Sequence, residues 1–280
     1  MWAGYITFAR QGVTGGLHPV DFVLLRYLVA GTIMLPWLLL HAPRTLGGVG
    51  WARGLALALC VGPLFILTGI GGYVYAPLSH GAVVQPTTAA LVGLAAATLL
   101  LRERLTAAKA AGTAMIVAGI ALVALAAPSV PAPQAWRGDV LFALAGTLFA
   151  AFTVLVRLWR VTPFGATAAV SVISLAAVLP VALFTDAVPR LLALPLPLLV
   201  AQAVIQGVLS GLLAVIFFAR AVELLGAGSA ALFPALLPAV ALALGIPVTG
   251  EWPGPLEWTG AALASVGLAT ATGAFSRAKA

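Results

Sequence analysis

Charge is scarce in this chain. Only 14 Lys or Arg and 7 Asp or Glu occur among 280 residues, so charged side chains make up 8%. A soluble domain carries about 25%. The sequence cannot cover a water-facing surface, which excludes a soluble enzyme and a disordered chain. Its net charge of +7 gathers in no basic cluster on a polar face, so a nucleic-acid binder is excluded as well. The single cysteine, Cys60, lies in an apolar run and rules out a disulfide framework or a thiolate metal site. No nucleotide-binding loop occurs, so ATP does not drive this protein. His, Asp and Glu are nowhere grouped at metal-ligand spacing, and no Ser-His-Asp set is recognisable. Neither a metal nor a cofactor is expected, and enzymatic activity is not. Strand-like alternation is missing too, which excludes a membrane β-barrel.

Apolar sequence is what the chain has in abundance: 62% of residues are hydrophobic, and the mean hydropathy is +1.14. A membrane helix needs about 20 mostly apolar residues. Reading between charges and Pro/Gly clusters predicts ten spans, at 1–16, 20–40, 53–75, 79–101, 106–126, 138–158, 163–184, 198–222, 226–249 and 256–275. The fold class is therefore an all-α integral membrane protein, and the lipid bilayer is its first partner. Span one is short for a crossing and lacks the charged flank and cleavage site of a signal peptide. A start about ten residues upstream of Met1 is expected.

Lys and Arg set the orientation. Ten of them (Arg44, Arg53, Arg102, Arg104, Lys109, Arg157, Arg160, Arg220, Arg277, Lys279) fall on one side, against Arg10, Arg26, Arg137 and Arg190 on the other. This predicts both termini in the cytoplasm.

The chain also resembles itself. Shifted by 148 residues, Pro86 lands on Pro234, Glu103 on Glu251, Gly112 on Gly260 and Gly119 on Gly267. With an offset of 144, Pro19 meets Pro163 and Pro36 meets Pro180. The glutamate match carries weight because the chain has only four. Spans one to five thus repeat as six to ten, and an odd number of spans turns the second copy upside down. The halves are read as 1–127 and 138–280, joined by a Pro-rich connection at 128–137. Inverted repeats of this kind mark secondary transporters, with the solute site near the midplane between the halves.

Each half resembles an EamA-type domain of the drug/metabolite transporter superfamily. The residues that carry the likeness are Trp2-Ala3-Gly4, then Pro19 with Arg26 and Ala30, Pro86, Glu103-Arg104-Leu105-Thr106, Gly112 and Gly119. The second half keeps Pro163, Pro234, Glu251, Gly260 and Gly267 but lacks the Arg26 equivalent and the Arg-Leu-Thr after the glutamate. Within the superfamily the chain is most similar to the YddG-type exporters of aromatic amino acids, which are also linked to methyl viologen efflux. The resemblance implies export of small solutes, aromatic or neutral amino acids, across a bacterial-type inner (plasma) membrane, with a multidrug, cation or other metabolite exporter as the alternative. A membrane-embedded enzyme or lipid-handling protein would need a catalytic or metal set within the bilayer, and none is found. The oligomeric state is left open, a monomer included.

Several residues are candidates for the work. Pro86 and Pro234 each remove a backbone hydrogen bond inside a helix and are read as hinges; a tolerated kink is the alternative. Gly69, Gly71, Gly72 and Pro77 interrupt span three near its outer end. Tyr73, Tyr75, Ser79, His80 and Gln85 cluster where spans three and four meet, as solute-path residues or as interface anchors. Gln206 and Ser210 share a face of span eight, for the solute or for packing. Trp2, Tyr5 and Phe8 on span one, and Phe149, Phe152 and Thr153 on span six, form two symmetry-related aromatic walls suited to a flat apolar group or an organic cation; lipid-facing aromatics are the alternative. Arg220 and Glu223 are an inner gate or a local ion pair. Arg26 either snorkels outward or meets a carboxylate. Glu103 and Glu251 are expected to cap the helices that follow them. No Asp or Glu lies in the middle of a span, so facilitated rather than obligatorily proton-coupled transport is expected.

Overall fold

A computed structural model describes residues 1–41, 43–100, 106–126, 132–230 and 232–273. Glu103, its neighbours Arg102, Arg104 and Leu105, residues 128–131 of the 128–137 connection, and Arg277 and Lys279 lie outside the described residues. The described secondary structure is helical throughout: α1 (Trp2–Thr14), α2 (Pro19–His41), α3 (Trp51–Val61), α4 (Pro63–Gly71) with a 3-10 turn at Gly72–Val74, α5 (Leu78–Leu100), α6 (Ala107–Leu125) and α7 (Ala135–Trp159). There follow α8 (Pro163–Phe184), the short α9 (Ala187–Leu192), α10 (Leu196–Ala203), a π-helical segment at Val204–Leu213, α11 (Ala214–Ala230), α12 (Leu232–Ala235), α13 (Leu237–Thr249) and α14 (Pro255–Ala271).

Among the described residues, seven stretches are long and apolar enough to cross a membrane: Pro19–His41, Trp51–Val74, Leu78–Leu99, Ala107–Leu125, Ala135–Trp159, Pro163–Phe184 and Leu196–Leu225. Leu237–Thr249 is apolar but shorter. So are α1 and α14, at 13 and 17 residues. The boundaries follow local chemistry. Thr106 accepts from the Lys109 amide at the start of α6, and Thr162 accepts from Gly165 before Pro163 opens α8.

Three details differ from the sequence reading. Span three breaks at Gly62–Pro63, deeper than the expected Gly69–Pro77 stretch, most of which stays helical. The pair Arg220/Glu223 does not end span eight, because an exposed i,i+3 ion pair is compatible with helix, and α11 runs on to Ala230. Span nine is divided, with Leu236 between α12 and α13.

The bundle is held by close helix contacts, and they come in matched pairs. α5 packs on α7 as α1 packs on α13; α3 packs on α8 as the π-helical segment packs on α2. The tightest contact joins α6 and α14. A β-carbon at Gly112 would stand 2.7 Å from the Gly267 carbonyl oxygen, and one at Gly119 2.7 Å from that of Gly260. The order of contacts reverses between the two helices, so they run antiparallel. Small residues let the backbones touch where no hydrophobic drive exists between helices.

Adding one methyl there should therefore destabilise the fold. Gly119→Ala and Gly267→Ala should each lower stability by about 1–3 kcal/mol through overpacking. At Gly93, mid-helix in α5, a β-carbon meets nothing within 4 Å. Gly93→Ala should stabilise by up to about 1 kcal/mol through helix propensity. Thermal unfolding of the three variants in detergent checks the opposite signs.

Candidate functional site

A central cavity of about 400 Å³ lies among the helices. Its walls are mainly aromatic and aliphatic. Trp2 and Tyr5 come from α1, Phe65 from α4, Phe149 and Phe152 from α7, and Phe218 from α11. These rings pair off: Trp2 lies 5.5 Å from Phe218 and Phe65 lies 6.0 Å from Phe149, centroid to centroid. Both separations suit tilted aromatic packing. Trp2 and Phe149 are 147 positions apart in the chain, as are Tyr5 and Phe152. The two expected aromatic walls thus face the same space. Phe8 does not join them; its carbonyl accepts from Gln202 at 2.9 Å.

Polar groups are few and placed near the middle. Gln85 lines the cavity, and among the described residues its amide makes no hydrogen bond. Ser171 and Ser210 add hydroxyls, and the Tyr27 hydroxyl donates to the Val61 carbonyl at 2.7 Å, next to the Gly62–Pro63 break. Arg26 is the single charged residue among the described lining. Its Nη1 donates to Ser210 Oγ at 2.8 Å and reaches the Gln206 carbonyl at 3.5 Å, while its guanidinium carbon sits 5.5 Å from the Tyr5 ring centroid. Outward snorkelling is therefore overturned, because a hydroxyl, a carbonyl and a ring face hold the cation inward.

Pro86 and Pro234 both border this cavity. α5 continues through Pro86, whereas Pro234 belongs to the short α12 just before the break at Leu236. Near them the π-helical segment supplies Ser210 and Gly211. Such segments are rare and concentrate at functional sites.

One end of the bundle is closed by polar ties. Arg10, buried at the end of α1, pairs with Glu251 and donates to the Tyr73 carbonyl at 2.6 Å. Glu251 in turn accepts from the Leu78 amide at 2.8 Å, capping α5. His80 Nδ1 meets Asp139 at 2.8 Å, Ser79 donates to Glu257, and Asp21 accepts from Arg190 at 2.8 and 3.2 Å. The Asp21 hydrogen bonds raise the Arg190 pKa further, so that cation stays charged. The cavity lining reaches the other end, at Trp2, the first turn of α8 (Ala166, Thr167) and Thr272.

Of the residues singled out in the sequence, the structure brings Trp2, Tyr5, Gln85, Pro86, Phe149, Ser210 and Pro234 together around one cavity. Tyr73, Tyr75, His80 and Gln206 do not line it. Tyr73 packs on Phe142 with centroids 4.8 Å apart, Tyr75 is exposed, and His80 is drawn to Asp139. Gln206 is fully buried and donates to Gln202 Oε1 at 3.2 Å. Arg220 and Glu223 form an exposed pair 2.7 Å apart, away from the cavity. Glu251 caps α5 rather than the following helix; Glu257 does that, reaching back to the Gly254 amide at 2.7 Å. Sequence reading missed Tyr27, Phe65 and Phe218 on the wall. The Gly62-Pro63 dipeptide was a turn signal that points to the first two.

The model of the EamA-like transporter family matches residues 1–125 and again residues 136–273. No curated protein matches the chain. Six chains of solved structures do. One, a crystal structure described only as that of a protein, is 19% identical, covers 96% of this chain and 94% of its own, and superposes with a TM-score of 0.63. At that identity the likeness speaks for the fold.

The Arg10–Glu251 pair supplies a direct test of the closed end. Both side chains are at most a tenth exposed. Arg10→Ala leaves a buried carboxylate unpaired and should lower stability by about 3–5 kcal/mol, while the double change Arg10→Met with Glu251→Leu should recover much of it. Thermal unfolding of the single and double variants reads the difference.

Proposed function

The chain belongs to the EamA-like transporter family and is a multi-pass membrane protein, and we propose that it exports small solutes, aromatic and other neutral amino acids above all, by alternating access around the central cavity. The observation that carries this reading is the cavity itself: aromatic walls from both halves, a free amide at Gln85, and prolines from equivalent positions on its border. The reading agrees with the overall sequence likeness to the YddG-type exporters. A pump for organic cations would be expected to hold a carboxylate in the membrane, and the described lining holds none.

Alternating access rests on two inverted five-helix halves, 1–127 and 138–280, joined by 128–137. The α6–α14 contact supports this arrangement. Gly112 touches Gly267 and Gly119 touches Gly260, and the 148-residue shift exchanges the two contacts. Contacts that map onto each other in this way are what a two-fold axis between halves requires, and the antiparallel run sets that axis across the helices. The matched pairs α5–α7 with α1–α13, and α3–α8 with the π-helical segment on α2, agree. The four side-chain pairs at the closed end also join the first half to the second. With the Lys and Arg balance placing the termini in the cytoplasm of a bacterial-type cell, the closed end faces outward and the cavity is reached from inside.

Transport is facilitative in this reading. His80, near the start of α5, is tied to Asp139 at the closed end, and no carboxylate stands among the described cavity lining to carry a proton between sides.

Proteoliposomes preloaded with unlabelled phenylalanine should accumulate labelled phenylalanine by counterflow without an ion gradient. Gln85→Ala should weaken the apparent affinity by about 1–3 kcal/mol by stranding a desolvated solute group. Phe149→Ala should do so by about 0.5–1.5 kcal/mol through lost ring packing. Absence of counterflow for phenylalanine, leucine and lysine alike, with protein correctly inserted, would refute the amino-acid reading.

A further inference from the structure

Resting on the transport reading above, we propose that Arg26 receives the solute's carboxylate, and that the cavity selects aromatic monoanions, reading a ring and one acid group but no amino group. Four observations converge. A guanidinium offers five N–H donors in a planar fork that fits a carboxylate, and the hydrogen bonds of Arg26 run through Nη1 to one hydroxyl and one distant carbonyl. Those partners are neutral, so within an apolar bundle the charge lacks a counter-ion until an acid arrives. The ring of Tyr5 stacks beside the guanidinium, and Trp2 and Phe149 extend the wall on which an aromatic body can lie. Finally, no described lining residue is acidic, so nothing there compensates an ammonium group, and Arg26 repels one.

The repeat limits the charge to one. At the offset that aligns Pro19 with Pro163, the counterpart of Arg26 is Val170. Val170 lines the same cavity. The second half presents an alkyl group where the first presents a cation, so a dicarboxylate would leave its second charge without a partner. The amino group of an amino acid is tolerated by hydroxyls and the Gln85 amide but adds no ion pair.

Isothermal titration of the purified full chain in detergent tests this with four probes of one shape: 3-phenylpropionate, phenylalanine, 3-phenylpropionamide and phenethylamine. The acid should bind at least as tightly as phenylalanine, and the amide and the amine about tenfold or more weaker, the scale of a lost charge-assisted hydrogen bond. Arg26→Gln should remove the preference for acid over amide, and Arg26→Lys should keep part of it. If Arg26→Gln does not fold, the acid-over-amide ratio of the unmodified chain decides alone. Equal binding of amide or amine and acid, or no binding of the acid, overturns the proposal. Proteoliposome flux separates the two claims: binding of the acid with no flux of acid or phenylalanine defeats the transport reading and spares the anion site. Phenylalanine flux indifferent to Arg26→Gln defeats the anion site and spares transport.

Discussion

One carboxylate organises the closed end of this bundle. Glu251 uses one oxygen for Arg10 and the other for the Leu78 amide, and Arg10 passes the connection on to the Tyr73 carbonyl. Four segments from three distant parts of the chain meet there: the end of α1, the 3-10 turn with the start of α5 just after it, and the link between α13 and α14. Each group alone would be expensive to bury, and each is affordable only because the others are present. The N-terminus of α5 is satisfied in the same stroke, which fixes the helix that carries Gln85 and Pro86 to the cavity. The position of that wall is thus inherited from an ion pair at the end of the bundle.

Backbone symmetry and side-chain asymmetry divide the labour. Matched glycines, prolines and aromatic positions build two equivalent frames. On the frames the chemistry differs: Arg26 on one side, Val170 on the other; a continuous α5 through Pro86, a divided helix at Pro234. In the alternating-access reading, symmetry suits a structure that presents two alternative openings at similar energy. In the proposed anion site, the asymmetric cation gives the solute a preferred orientation within it.

The membrane character and the repeat were legible because they are written in long-range statistics: few charges, many apolar runs, rare residues recurring at one offset. Trp2, Tyr5 and Phe149 were legible as walls because a three-residue spacing fixes a helix face. What local pattern cannot encode is which distant partner a side chain finds. His80 and Gln206 look like solute contacts in sequence, yet Asp139 and Gln202 claim them. Arg10 counts in sequence only as an orientation charge within span one until Glu251, 241 positions later, is brought beside it. Arg26 reads as a snorkelling residue until the π-helical segment sets Ser210 and the Gln206 carbonyl against it.

The π-helical segment at Val204–Leu213 has wider turns than an α-helix and so packs more residues into the same rise. Its wide turns place Ser210 and, beyond it, Phe218 on one wall. Removing a residue from this stretch would let ordinary i to i−4 bonding replace part of the wide turn, while the helices on either side kept their faces and Phe218 its place on the wall. In evolutionary terms the segment is a slot at which a one-residue length change is absorbed without disturbing the bundle. Most length changes inside a membrane helix have no such outlet.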